Sequence, residues 1–319
     1  MVFAVKLRHI TRMSQAIPQR QLSLKGWGLL ILLALIWGGS FAANHQALSQ
    51  WPVVPTVAFR VSVAAVALWL YIAATGLPVP KGWRFRRDAL VLGLLNNVVP
   101  FSLIVWGQTQ IASGLAGILN ASTALFSVLV AAAVFPDERL GPRRLIGVLT
   151  GLAGVVVVVG PGVLTHLDLT SLGQLAILGA GLSYASAAAY GRRALKGVRP
   201  EVGAAAMLTG SALIMVPAAL ILNGAPPMPE LKTLAALLYL ALIASAVAYR
   251  LFYTVLQAAG AGNLGLVTLL IAPVAVVLGA VLFGEALPPT AFAGAALLML
   301  GMVVIDGRPL KWLRARFSG

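Results

Sequence analysis

Apolar stretches of about twenty residues recur down this 319-residue chain, and short segments between them carry almost all of its positive charge. A bilayer core takes about 20 apolar residues per helix. Backbone groups in lipid must pair within their own segment, which favours helices for runs of this length. Ten stretches qualify: 25–48, 56–76, 89–109, 113–135, 143–160, 170–191, 202–222, 233–257, 263–284 and 288–306. Breaks such as "QWPVVP", "GLPVPKGW", "PDERLGPRR", "GPGVLTHLDLT" and "NGAPPMPE" separate them with ordinary turn residues. The expected fold class is therefore an all-α integral membrane protein of ten transmembrane helices. Only 10% of residues are charged and 60% are hydrophobic, with mean hydropathy +0.95, too little charge to cover a soluble domain of this length.

A net charge of +15 raises the possibility of nucleic acid as a partner, but its placement argues for topology instead. With the N-terminus cytoplasmic, the inner segments hold Lys6, Arg8, Arg12, Arg20 and Lys25, then Lys81, Arg84, Arg86 and Arg87, then Arg139, Arg143 and Arg144. They also hold Arg192, Arg193, Lys196 and Arg199, and finally Arg308, Lys311, Arg314 and Arg316. Lys232 alone falls outside, and Arg60 and Arg250 fall within spans. Ten spans with both termini cytoplasmic is the arrangement that keeps the signs apart. It predicts a basic segment at 1–24, a five-helix half at 25–160, a second half at 161–306 and a basic tail at 307–319. The first apolar run is too long for a cleaved signal peptide, despite the small-x-small triplet Ser40-Phe41-Ala42. Cysteine is absent, and His9, His45 and His166 are too scattered to suggest a metal site.

The two halves correspond at an offset of 147 positions. Trp37 falls on Tyr184, Trp106 on Tyr253, Gln110 on Gln257, Glu138 on Glu285, Gly147 on Gly294 and Gly154 on Gly301. One offset joining aromatic, amide and acidic positions is hard to obtain by chance. Five spans per half is odd, so the second half must enter the bilayer inverted. Inverted repeats of this kind characterise secondary transporters.

The stretch "PFSLIVWGQTQIASGLAGILNASTALFSVL", followed by "DERLGPRRLIGVLTGLAGVVVVVGP", and its weaker echo "IAPVAVVLGAVLFGEAL" with "GAALLMLGMVVI", resemble the two EamA repeats of the drug/metabolite transporter superfamily. The resemblance covers residues 25 to 306. It implies a ten-helix exporter of amino acids or related metabolites, with a central cavity between the first four helices of each half, and the amino-acid exporter branch is the nearest analogue. The sequence departs from the family at Phe126, which matches Pro273, a position where the family commonly has proline. The two fourth helices need not bend alike.

Three local motifs say little about substrate. "GAGNLG" at 260–265 has the spacing of a dinucleotide loop but lies between apolar helices rather than in a βαβ unit, so no cofactor is expected. Asp137, Glu138 and Glu285 sit at helix connections, where they are expected to cap the fifth and tenth helices. Gly147, Gly151 and Gly154 form a small-residue stripe suited to close packing on another helix or a second protomer.

The polar and aromatic residues inside the spans are more informative. Trp37, Phe41, Asn44 and Leu48 share a face of the first helix; Asn97, Phe101 and Gln108 lie along the third; Asn120, Thr123 and Ser127 along the fourth; Tyr249, Tyr253 and Gln257 along the eighth. Amides and hydroxyls can simply join helices. On several helices at once, together with Pro100 beside Asn96 and Asn97, they read as the lining of a hydrated pathway. The expected substrate contacts are Trp37, Asn44, Asn97, Trp106, Asn120, Tyr184, Tyr249, Arg250 and Tyr253, and the expected hinges are Pro100 and Pro273. Arg60, near a helix end, is expected to snorkel. Arg250 lies about 25 Å down a ~30 Å core; it either snorkels to the cytoplasmic side or faces a substrate carboxylate. No Asp or Glu lies in the middle of a span, which gives little support for strong proton coupling and leaves His45 as the nearest group for it. The expected function is a transporter of small metabolites, most of all zwitterions such as amino acids, surrounded by membrane lipid. An organic-cation exporter of the same fold is the near alternative, and an intramembrane enzyme, for which no clustered chemistry is present, the distant one.

Overall fold

A computed structural model of the chain describes residues 24–135, 141–159, 168–259 and 266–307. Among these residues there is no strand, and the helical segments form ten rods. They are α1 (Leu24–Leu48), α2 (Val53–Thr75), α3 (Trp83–Gly93, a π-helical Leu94–Val98, then Val99–Gly107) and α4 (Ser113–Asn120 and Thr123–Val134). There follow α5 (Pro142–Val159), α6 (Leu169–Ala194), α7 (Pro200–Asn223), α8 (Leu231–Leu238, a π-helical Tyr239–Val247, then Ala248–Ala259), α9 (Leu266–Phe283) and α10 (Pro289–Asp306). Among the described residues, seven rods are long and apolar enough to cross a membrane, and Leu270–Phe283 and Pro289–Ile305 are shorter apolar helices.

Local chemistry explains the rod ends. Pro200 and Pro289 open α7 and α10 from the first turn, where a missing N–H costs nothing. Gly76, at φ 62°, closes α2 in the left-handed conformation, and Leu77 N–H bonds back to Ile72 O. Asp168 caps α6 by accepting from Ser171 N–H at 2.7 Å, and that bond holds its carboxyl below the usual range. The third rod begins six residues earlier than hydropathy predicts, taking Arg84, Arg86, Arg87 and Asp88 into its first turns. A hydropathy window stops at the charges, whereas a helix can continue past the apolar region.

Large apolar side chains lie on the outside as well as the inside: Leu70, Leu213, Ile221 and Val281 are among the most exposed. In lipid, such exposure is the stable state, and helix association depends on packing and polar links rather than on escape from water. Small residues provide the close approaches. A Cβ on Gly147 would meet Gly301 O, and one on Gly154 would meet Gly294 O. These glycines are the ones related by the 147-residue offset, and they pair reciprocally, as a two-fold contact requires. The stripe therefore packs on α10.

The other helix contacts follow the same exchange. α1 packs on α8 and α9, as α6 packs on α3 and α4. α2 packs on α8 as α7 packs on α3, while α2–α7, α4–α9 and α5–α10 pair across the halves. The π-helical stretches of α3 and α8 also overlap at the offset. The fourth rods differ: α4 is interrupted at Ala121 and Ser122, whereas α9 runs unbroken through Pro273. The first part of α4 lies along α9 and the second along α6, so the interruption redirects the rod.

Candidate functional site

The interruption in "NNVVPF" resolves into a π-helical turn. In a π register the donor to Leu95 O would be Pro100, which has no N–H. Ser183 Oγ on α6 takes that place, donating to Leu95 O at 2.6 Å. The corresponding stretch of α8 is met by α1: Trp37 Nε1 donates to Ala244 O at 3.2 Å, and Tyr239 OH donates to Ile36 O at 2.7 Å. Each π turn thus presents a carbonyl to a side chain of the opposite half.

Asn97, in the α3 π turn, is fully buried. Its Nδ2 donates to Ser211 Oγ on α7 at 2.9 Å, and its Oδ1 accepts from Tyr249 OH on α8 at 2.8 Å. Asn96 Nδ2 donates to the same phenol oxygen at 2.9 Å. Tyr249 therefore ties α8 to both asparagines, and Asn97 acts as a three-helix link.

A second polar group lies where α1, α3, α4 and α9 meet. Asn44 Nδ2 donates to Gln108 Oε1 at 2.9 Å, and Gln108 Nε2 donates to Phe41 O at 2.8 Å and Ser113 Oγ at 3.2 Å. The Glu285 carboxylate accepts from Ser113 N–H at 2.8 Å and Gly114 N–H at 2.9 Å, with His45 Nδ1 3.8 Å away. Glu285 was expected to cap its own following helix, α10. It caps α4 instead: the connection at 284–288, which leaves α9 through the left-handed Gly284, places its carboxylate at two of the first N–H groups of another rod. Asp137 and Glu138 lie outside the described residues. Along the same rod, Asn120 Oδ1, Ser122 Oγ and Thr123 Oγ1 are buried without a hydrogen-bond partner among the described residues, as is Asn44 Oδ1 on α1.

Arg60 does not snorkel. It is 6% exposed, with its guanidinium 3.8 Å above the Phe101 ring of α3 and its Nε donating to Ser245 Oγ in the α8 π turn at 3.0 Å. Depth along α2 suggested an interfacial residue; the helix rotation aims it inward, beside Val57, Val61 and Ala64 rather than the lipid-facing Val66 and Leu70.

Among the sequence-predicted residues, Trp37, Tyr184 and Tyr249 each pack against two of the buried clusters, at the junctions between helix groups. Trp37 also lies tilted against Phe252, ring centres 5.8 Å apart. Asn44 joins Gln108 at the α1–α3–α4 junction, and Asn120 is buried at the end of the first part of α4; among the described residues the side-chain oxygen of each has no hydrogen-bond partner. Trp106 is half-buried in the last turn of α3. The side chains of Tyr253 and Gln257 lie outside the described residues, as does the "GAGNLG" stretch. Arg250 is exposed, its guanidinium 4.1 Å over Tyr71 near the end of α2 and its Nη2 3.2 Å from the phenol oxygen. It lies about 16 Å along α2 from Arg60 at 1.5 Å per residue. Of the hinges, Pro100 adjoins the π turn, and Pro273 lines a groove of about 870 Å³ between α1, α8 and α9. Exposed Leu35, Val277 and Leu282 share that groove, which marks it as a lipid-facing recess. Sequence reasoning missed Arg60 and the junction role of Glu285; Gln108 was noted only as one of a row.

Residues 24–160 and again 171–306 match the EamA-like transporter family. A protein of Streptantibioticus cattleyicolor named "Probable terminal-alkyne amino-acid exporter" is 28% identical, over 91% of this chain and 96% of its own length. One of Escherichia coli (strain K12) named "Probable amino-acid metabolite efflux pump" is 26% identical, over 92% and 98%. A crystal structure with 22% sequence identity superposes with a TM-score of 0.63, covering 88% of this chain and 96% of that one, so the fold is shared.

Proposed function

Because the chain belongs to the EamA-like transporter family, we propose that it is a secondary exporter of amino acids or closely related metabolites, working by alternating access. It is a multi-pass inner-membrane transporter. In the proposed arrangement ten spans form two inverted five-helix halves with both termini cytoplasmic, as the basic segments favour.

The observation that carries this reading is the reciprocal contact of Gly147 with Gly301 and Gly154 with Gly294, joined to the exchange of helix partners between the halves. An internal two-fold of that kind lets each half adopt the other's arrangement, which converts an inward opening into an outward one. Under this topology, Glu285 and Gln108 join α3 and α4 to α1 and α9 at the outer end, so the outer gate is held by a few polar contacts. The pathway runs past Trp37, Asn44, Asn120, Tyr184 and Tyr249.

Zwitterions suit this lining better than organic cations. A cation site in a bilayer favours a carboxylate counter-ion. Among the described residues Glu285 is engaged by α4, and Asp88 is engaged by Arg87 Nη2 at 2.8 Å and Tyr190 OH at 2.8 Å. The amino-acid names of two relatives support the same choice. The test is efflux from proteoliposomes preloaded with each of a panel of labelled amino acids and organic cations. Export of at least one amino acid above protein-free vesicles is expected; export confined to organic cations would contradict the reading.

A further inference from the structure

We propose that Arg60 is the residue that recognises the substrate's carboxylate, gripping it end-on through its two terminal amino groups. This rests on the exporter reading and names the chemical handle that reading leaves open.

The guanidinium is buried by nine-tenths and no carboxylate among the described residues pairs with it. Its Nε is engaged by Ser245, and one face is covered by Phe101. The two Nη groups make no hydrogen bond among the described residues, which leaves the outer edge of the fork without a partner there. A cation held in a low-dielectric interior without an anion carries a large desolvation cost. Ionisable groups at membrane depth are characteristic of substrate pathways. Arginine's fixed fork matches a carboxylate with two parallel N–H···O bonds.

The surroundings select the ligand further. Arg60 on α2 touches α3 through Phe101 and the π turn of α8 through Ser245, so it belongs to both halves of the bundle. A carboxylate bound there would neutralise the charge and bridge those elements. Among the described residues no carboxylate pairs with Arg60, so the ammonium of an amino acid would meet a neutral hydroxyl at Ser245 and the aromatic face of Phe101. Recognition should therefore depend on the acid group and tolerate change at the amine. Arg250 stands on Tyr71 well along α2 and is not needed for this contact.

The experiment uses the full chain in proteoliposomes. Efflux of each of the twenty amino acids is measured first; for each one exported, competition is then measured with that amino acid's carboxamide and its N-acetyl derivative. N-acetyl derivatives should compete within about threefold of the parent and carboxamides at least tenfold less well. Arg60→Gln should lower efflux at least tenfold, and Arg60→Lys should recover part of it. Size-exclusion profiles check that the variants fold, and the competition with unmodified protein decides the matter if Arg60→Gln does not. Equal competition by acid and amide, or full efflux by Arg60→Gln, would overturn the role of Arg60 while leaving the exporter intact. Efflux of no amino acid at all would overturn both.

Discussion

Glu285→Gln removes one charge from a junction that joins the two halves. The carboxylate accepts two backbone N–H groups at the start of α4, at 2.8 and 2.9 Å, from a side chain only 10% exposed. A hydrogen bond to a charged group contributes about 1.5–3 kcal/mol. Glutamine keeps one acceptor and turns an amino group toward the other N–H, so one such bond is lost together with about 0.3–1 kcal/mol of helix-dipole attraction. The half-exposed His45 partner adds little, because exposed pairs contribute about 0–1 kcal/mol. The expected loss is roughly 2–4 kcal/mol. At about 2–4 °C per kcal/mol, the melting temperature in detergent, followed by tryptophan fluorescence, should fall by roughly 5–15 °C. Gly279→Ala provides an independent route to the same loss, since a Cβ there would occupy the position of Glu285 Oε2. The two substitutions should be far from additive in a double variant. A melting temperature within about 1 °C of the parent for Glu285→Gln would refute the reasoning.

Gly301→Ala should destabilise by about 1–3 kcal/mol, because its new methyl would meet Gly147 O and Gly151 N; Gly28→Ala, in open space on α1, should be neutral or slightly stabilising in the same melts. Asn97→Leu should lower stability by about 0.6–1.7 kcal/mol by removing the Ser211 and Tyr249 links, with substrate preference in the efflux panel unchanged. Asp168 has a folded-state pKa below its unfolded value of about 3.9, so its contribution is complete above that value and is lost as pH falls through the depressed one. The melting difference between parent and Asp168→Ala should accordingly be constant from pH 7 to 5 and shrink below pH 4.

The lipid-facing pattern of this chain was legible because hydrocarbon tolerates so few residue types; the rods of α1, α2 and α7 begin and end within three residues of the apolar runs. Asn96, Asn97 and Pro100 were legible as a disturbance, but not as a π turn, since that depends on Ser183 arriving from α6 to replace the missing donor. Arg60 was misjudged because counting residues gives depth, not direction. The one available signal was the small Ala64 a turn away, contrasted with the bulkier lipid-facing Leu70. Glu285 was placed on the wrong helix for a related reason. Its partners are backbone N–H groups 171 and 172 positions away, which leave no trace in side-chain identity.

Opposite insertion of the two halves is the premise of alternating access here, and labelling with an impermeant maleimide reads it directly in a cysteine-free chain. In intact cells with the outer membrane permeabilised, Asp168→Cys and Pro227→Cys should react from the periplasmic side, while Arg86→Cys and Gly197→Cys should react only after the inner membrane is broken. Reaction of all four from one side, or the reverse pattern, would contradict the inverted repeat and the transport cycle built on it.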